Sequence, residues 1–322
     1  MPNLTSALAS IVLTVVLHDD HQMHHDPQVT RTSAQASWST FLSEFPQSVV
    51  YADHSFEGAL ACWNATCAES GLHAACRLET AFRCTHERVR EGGAPTPRWF
   101  VFTTQGTWWH AEGLVAELAR AEALLRPARP ETDVLLLGGG GLLTFAEFMV
   151  LSPPALRLLA DRSFLDRCRA RLLSCDPSVP RSGCKFKMHS VAGEPYMDNQ
   201  LVHYCLAEPL ARCSRPEGCS WLFGAPDAAH RDATAARRRY VSNAARRPPQ
   251  SNLPSLLGLP TAGQGDLAAA SADRCQLRAA MRELVAFGNA ESPAGMEWLR
   301  DLRDSSRACA DGAVGLSRRG AR

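Results

Sequence analysis

The sequence predicts an α/β fold: a mainly parallel sheet flanked by helices, followed by a helical and irregular C-terminal extension. Three observations carry this. Short apolar, β-branched runs recur along the first two thirds of the chain, as strands buried on both faces require. Segments with helical periodicity separate them, the pattern of parallel strands joined by crossover helices. Beyond about residue 225 both signals fade into polar sequence rich in Arg and Pro.

The first strand is read from Ile11-Val12-Leu13-Thr14-Val15-Val16-Leu17, the end of an apolar run that begins at Leu4. That run, Leu4 to Leu17, competes as a membrane or export segment. It has 14 residues, short of the ~20 that span a bilayer. No Lys or Arg precedes it, so the basic region of a signal peptide is absent. We therefore read Leu4–Leu17 as contributing a buried strand, and the sequence as showing neither signal peptide nor transmembrane helix. Val49-Val50-Tyr51 predicts a second strand ending at Asp53. Trp99 to Phe102 predicts a third, and Val134 to Leu137 a fourth. Between these last two, Leu114, Leu118, Ala121 and Leu125 recur at helical spacing, and Pro127 stops the helix. Ligands of such sheets bind beyond the C-terminal strand ends.

The boundaries follow as a catalytic-type domain over 10–225 and an extension over 226–322. Within the extension, Arg237-Arg238-Arg239, Arg246-Arg247-Pro248-Pro249 and Pro254 read as a solvated linker rather than a lipid or nucleic-acid patch. Leu277, Met281, Leu284 and Val285 share one helical face, and Trp298, Leu299 and Leu302 extend it.

Net charge is +1, which gives no reason to expect a nucleic-acid partner. The 12 cysteines are even in number and include no CxxC pair, which argues against zinc-finger and thioredoxin chemistry. With the acceptor triplets Asn3-Leu4-Thr5 and Asn64-Ala65-Thr66, they favour an oxidising, secretory compartment. The segment from His18 to Asp26 carries four histidines and three aspartates. It is open to two readings, a replacement metal site or an exposed polar loop. Gly138-Gly139-Gly140-Gly141 is either a phosphate cradle or a flexible turn; it lacks the Lys and Ser/Thr of a P-loop.

A family resemblance rests on landmarks in order. Arg31 to Trp38, R-T-S-A-Q-A-S-W, resembles the R-x-x-x-R-x-T-W pattern that follows the first strand in β-1,3-glycosyltransferases and fringe proteins. Gln35 and Ser37 depart from it. The stretch from Asn64 through Cys67 to Cys76-Arg77 resembles the fringe segment whose cysteine pair precedes a helix. Arg98 to Phe102 is similar to the W-F strand before the family's acidic metal motif. Asp133 to Leu137 is similar to the strand after the next helix. Phe148 to Leu156 resembles F-x-I-S-x-x-x-L, where a strand passes into a helix. Met197 to Leu201 sits where the family carries a D-D-x-x-L-type segment. The set covers about residues 10–210. It implies a GT-A-like, Rossmann-type fold and a secretory, Golgi-lumenal enzyme. Such an enzyme transfers a hexose or N-acetylhexosamine from a UDP-sugar to a glycan or glycoprotein hydroxyl. Family members carry a membrane anchor that is not evident here.

The resemblance also assigns residues. It implies nucleotide-sugar contacts at Arg31, Asp53, Thr104, Gln105 and Gly106, a general base at Asp198 and a disulfide between Cys67 and Cys76. Asp198 reads equally well as a helix cap. The family's metal, Mn²⁺, is held by carboxylates, yet the triplet in register is Thr104-Gln105-Gly106, with no acidic group. The family's G-G-A-G is likewise replaced, by Thr144-Phe145-Ala146-Glu147. Two functions therefore stay open: a transferase that works weakly or without the metal, with Arg98 and Arg77 as candidate cations, or a non-catalytic pseudoglycosyltransferase that binds a glycan or a protein.

Overall fold

The computed structural model describes residues 3–17, 27–52, 55–62, 73–93, 96–104, 106–139, 149–173, 198–215, 219–223, 240–242, 286–288 and 294–304. A seven-stranded sheet forms the centre. Its strands are β1 (Ile11–Val16), β2 (Val49–Ala52), β3 (Leu60–Ala61), β4 (Trp99–Thr104), β6 (Leu136–Gly139), β7 (Met149–Leu151) and β8 (Ser220–Phe223). They lie in the order β3-β2-β1-β4-β7-β6-β8. Six run parallel, and only β7 is antiparallel to its neighbours β4 and β6. A second sheet has three short strands in the order β5-β10-β9: β5 (Trp108–Trp109), β9 (Tyr240–Ser242) and β10 (Ala286–Gly288).

β1 and β4 are buried along their described length because helices cover both faces. Every residue of β1 is buried, whichever way it points. The helices are α1 (Leu4–Ala9), α2 (Pro27–Thr40), α3 (His73–Glu91), α4 (Ala111–Leu124), α5 (Pro153–Ala160), α6 (Arg162–Leu173) and α7 (Asp198–Ala211). The Leu4–Leu17 run thus divides. Its second half is the expected strand, but Leu4–Ala9 is a helix, with Asn3 at its start accepting a hydrogen bond from the Thr5 amide. Only Leu8 of that helix is buried, so the amphipathic half folds as a surface helix and the β-branched half as a strand.

The fourth expected strand begins at Leu136 instead of Val134. Ser152 explains the shift. Its buried hydroxyl accepts from the Leu135 amide at 2.9 Å and donates to the Asp133 carbonyl at 2.7 Å, so those backbone groups bond a side chain and not a strand. The same hydroxyl accepts from Ala155 and caps α5.

The extension reaches back to the core. Residues 286–288 pair with β5, and residues 294–304 are helical. That helix buries Met296, Leu299 and Leu302. Met296 receives the Ser37 hydroxyl of α2 at 4.0 Å, Arg300 donates to the Ser39 carbonyl at 3.3 Å, and Arg303 pairs with Glu44. The stretch from Leu277 to Val285 lies outside the described residues.

Three disulfides join described residues: Cys62–Cys84, Cys168–Cys205 and Cys213–Cys219, with Cα separations of 6.1, 5.6 and 6.1 Å. They bind the tail of β3 to α3, α6 to α7, and the end of α7 to the start of β8. The expected Cys67–Cys76 pair lies outside the described side chains. No described helix is long and apolar enough to cross a membrane.

Candidate functional site

The chain reverses its direction of sheet-building beside β1. It adds β2 and β3 on one side, then returns to place β4 on the other. This is a topological switch point, and ligands of open α/β sheets bind in the crevice beyond the strand ends there. Val16 is in register with Thr104, so β1 and β4 end together. Thr104 and Gly106 of the expected triplet therefore stand at the switch point. Thr104 ends β4, and Gly106 follows in a turn with φ of 79°, a conformation that glycine adopts without strain. Gln105 and Asp53 lie outside the described residues, as do His18–Asp26, Gly140, Gly141 and Thr144–Glu147.

Beyond the turn comes a buried wall. Thr107, Trp108, Trp109 and His110 are all buried, and the Trp108 and His110 rings stack 6.0 Å apart. This wall begins β5 and the second sheet. Two apolar rings in a pair look like core sequence, which hides from sequence reasoning that they open a separate sheet at the ligand edge.

Arg31, in α2, belongs to the same edge, because α2 follows the end of β1 and leads back to the start of β2. Its guanidinium lies 5.9 Å from the Phe56 ring. Trp38 of the same helix donates its indole N–H to the Gly58 carbonyl at 2.7 Å. Gly58 has φ of 86°, and a Cβ there would meet the Trp38 ring at 3.1 Å. Helix α2 thus fixes the turn beyond β2.

Asp198 is the first residue of α7. The other end of that helix touches the start of β8, where the Cys219 amide bonds the Leu210 carbonyl. Fourteen residues span about 20 Å, and α7 packs along α3 and α6. Asp198 therefore starts its helix toward the C-terminal edge of the sheet.

Arg98 is a correction. It precedes β4 and sits at the opposite edge, where its amide bonds the Ser10 carbonyl. Glu122 holds it through two hydrogen bonds of 2.7 and 2.9 Å, and Glu131 is a second partner. The Glu122 carboxylate outweighs partial burial and raises the guanidinium pKa further. Arg98 is a structural cation and cannot serve a ligand at the switch point.

Asp133 is also structural. Burial alone would push its carboxyl up. Hydrogen bonds from the Ser214 hydroxyl (2.6 Å), the Arg129 and Ser214 amides and the Thr132 hydroxyl outweigh that and hold it below the ordinary carboxylate value. A depressed folded value contributes stability above the unfolded carboxyl pKa of about 4. That contribution is lost as pH falls through the lower folded value. We expect Asp133→Asn to reduce stability to urea at pH 7 by about 1–3 kcal/mol. The loss should be smaller at pH 3, and an equal loss at both pH values would rule out this role.

Two cavities lie elsewhere. One of about 410 Å³ sits between Asp133, Phe164, Cys205 and Arg212. Another of about 670 Å³ lies between α3 and β1–β3, lined by Ser48, Tyr51, Leu60, Thr85 and Arg88. Neither includes a residue of the 104–110 segment.

Among the described residues, no group of three or more His, Cys, Asp or Glu side chains is placed to hold a metal ion. Thr104 and Gly106 supply no carboxylate, so these residues do not fit a Mn²⁺ site. No protein-family model matches the sequence, and no curated protein matches it.

Proposed function

We propose that this chain is a fringe-like glycosyltransferase of the GT-A type, binding a UDP-sugar over the ends of β1 and β4. The hexose or N-acetylhexosamine passes to a glycan hydroxyl in the secretory pathway. The observation that carries the reading is the placement of the Thr104–Gly106 turn at the switch point. It agrees with the ordered sequence landmarks. The order β3-β2-β1-β4 and the lone antiparallel strand β7 fit the same fold type.

The chemistry asks for a base and for charge compensation. A carboxylate at Asp198 would take the proton of the acceptor hydroxyl as its oxygen forms a bond to the anomeric carbon. The bond from that carbon to the diphosphate breaks, and UDP departs with its charge.

One observation favours the second reading, a pseudoglycosyltransferase that binds a glycan or protein: the triplet has no acidic residue. Titration of UDP and UDP-sugars, with and without Mn²⁺, followed by a transfer assay, separates the two. Binding with turnover supports the enzyme; binding without turnover supports the module; failure to bind UDP or any UDP-sugar sinks the enzyme. Thr104→Asp with Gln105→Asp spares Gly106, whose φ of 79° would strain any other residue. In an intact pocket this pair should raise Mn²⁺-dependent UDP affinity by about tenfold, equivalent to 1.4 kcal/mol. No gain would mean that the pocket cannot seat the nucleotide.

A further inference from the structure

We propose that the C-terminal extension is a strap that holds the ligand edge in shape, with Arg303 as its anchor and as a positioning residue for the turn at Gly106. The strap makes contacts at both ends. At one end it meets β5, whose Trp108 follows Gly106 by two residues. Among the described residues β5 has one strand partner, β10, with Phe287 opposite Trp108 and Ala286 opposite Trp109. β9, the next strand, also belongs to the extension. The segment that leaves the Thr104–Gly106 turn therefore takes its ladder from residues beyond 225. A strand of two residues does not hold an extended shape alone, and both of its indole rings are buried.

At the other end, the helix of residues 294–304 lies along α2. Its contacts advance in step: Met296 with Ser37, Arg300 with Ser39, and Arg303 with Glu44 just past the end of α2. Helix α2 leads from the end of β1 to the start of β2, so the second helix runs with it, away from the ligand edge. From Met296 to Arg303 is about 10 Å at 1.5 Å per residue. Leu299 and Leu302 are buried over the same span. Arg303 closes the run. It is 8% exposed, pairs with Glu44, and donates to the Asp304 carboxylate at 2.9 Å. Residues 289–293 join β10 to this helix. Such a connection spans at most about 20 Å, so a displaced helix pulls on β10. Removing one partner of a buried ion pair leaves the other charge uncompensated. The helix then loosens, and the slack passes through β10 to β5 and the turn. The coupling rests on these contacts; that the edge it holds receives a nucleotide-sugar rests on the reading above.

Hydrogen exchange on the full chain tests the coupling. In the wild type at low denaturant, residues 107–109, 286–288 and 296–303 should open as one unit, before the core strand 11–16 does. Arg303→Gln should speed exchange about tenfold in all three segments, and leave 11–16 and 153–160 within about twofold of the wild type. Arg303→Lys keeps the charge and should lie closer to the wild type, and Glu44→Gln should reproduce the Gln variant. By calorimetry, UDP should bind Arg303→Gln about fivefold more weakly. Faster exchange confined to 296–303 would overturn the proposal, because the ion pair would then serve only its own helix. Faster exchange spread equally over 11–16 and 153–160 would overturn it too, because the pair would then serve the whole fold. If Arg303→Gln does not fold, the wild-type map and Arg303→Lys decide, and separate opening of the three segments overturns the strap. Coupled exchange with unchanged UDP affinity would overturn the positioning role of Arg303. A wild type that binds no UDP would sink the nucleotide-sugar reading, while the exchange data would still uphold or overturn the strap.

Discussion

Removing the Cys168–Cys205 bond by paired Cys→Ala substitution should lower the unfolding free energy by about 4 kcal/mol. The bond closes a loop of 37 residues. In the chain-entropy model, the unfolded state gains freedom in proportion to the logarithm of that length. Both sulfurs are buried, so the substitution also leaves a small void between α6 and α7. The Cys213–Cys219 bond closes only 6 residues and should be worth about 2 kcal/mol by the same relation. Urea titration of the two paired variants under oxidising conditions checks the ordering. A larger loss from the short loop would show that the chain-entropy account fails here. The Cys62–Cys84 bond, at 22 residues, should fall between the two.

How far the fold could be read from the sequence depended on burial. β1, β2 and β4 announce themselves because a strand covered on both faces is apolar at nearly every position. Helix α4 does so because one side of it packs and the other is wet: Leu114, Leu118 and Ala121 are buried while Glu112 is exposed. The short strands gave no such signal. β3 is two exposed residues, held by register with β2 and by the neighbouring disulfide. β5 pairs with β10 across about 180 residues of chain, which no local pattern records. β7 reads like any buried strand, because its direction depends on the connection to β6 and not on its composition.

The candidate site was legible in a different way. Its position came from the landmarks flanking Trp99–Phe102, and the sheet puts that turn at the switch point. Its electrostatics were not legible. Arg77 and Arg98 look alike in sequence, each a lone arginine beside an apolar run. Their positions separate only when helix phase and strand direction are known. Arg98 precedes β4 and meets Glu122 and Glu131 at the far edge. Arg77 precedes the β4-facing turns of α3 and so falls at the near edge. The difference is one of which end of a strand a residue borders, and periodicity does not carry that information.

Phe102→Ala should cost about 3–5 kcal/mol, the range for truncating a fully buried Phe. Phe102 is 0% exposed in the central strand β4 and flanked in register by Thr14 and Met149. Its ring packs edge to face on Phe82, an arrangement that adds about 0.5–1.5 kcal/mol beyond area burial. Because both neighbouring strands are paired to it, β4 cannot shift to fill the void without breaking its ladders. The cavity should persist. Phe102→Leu retains most of the volume and should cost less than half as much. Leu60→Ala, at the 42% exposed edge position, should stay within about 0.5 kcal/mol and serves as the surface control. Urea unfolding of the three variants checks the ranking. A Phe102→Ala loss no larger than that of Leu60→Ala would show that the core collapses around the void.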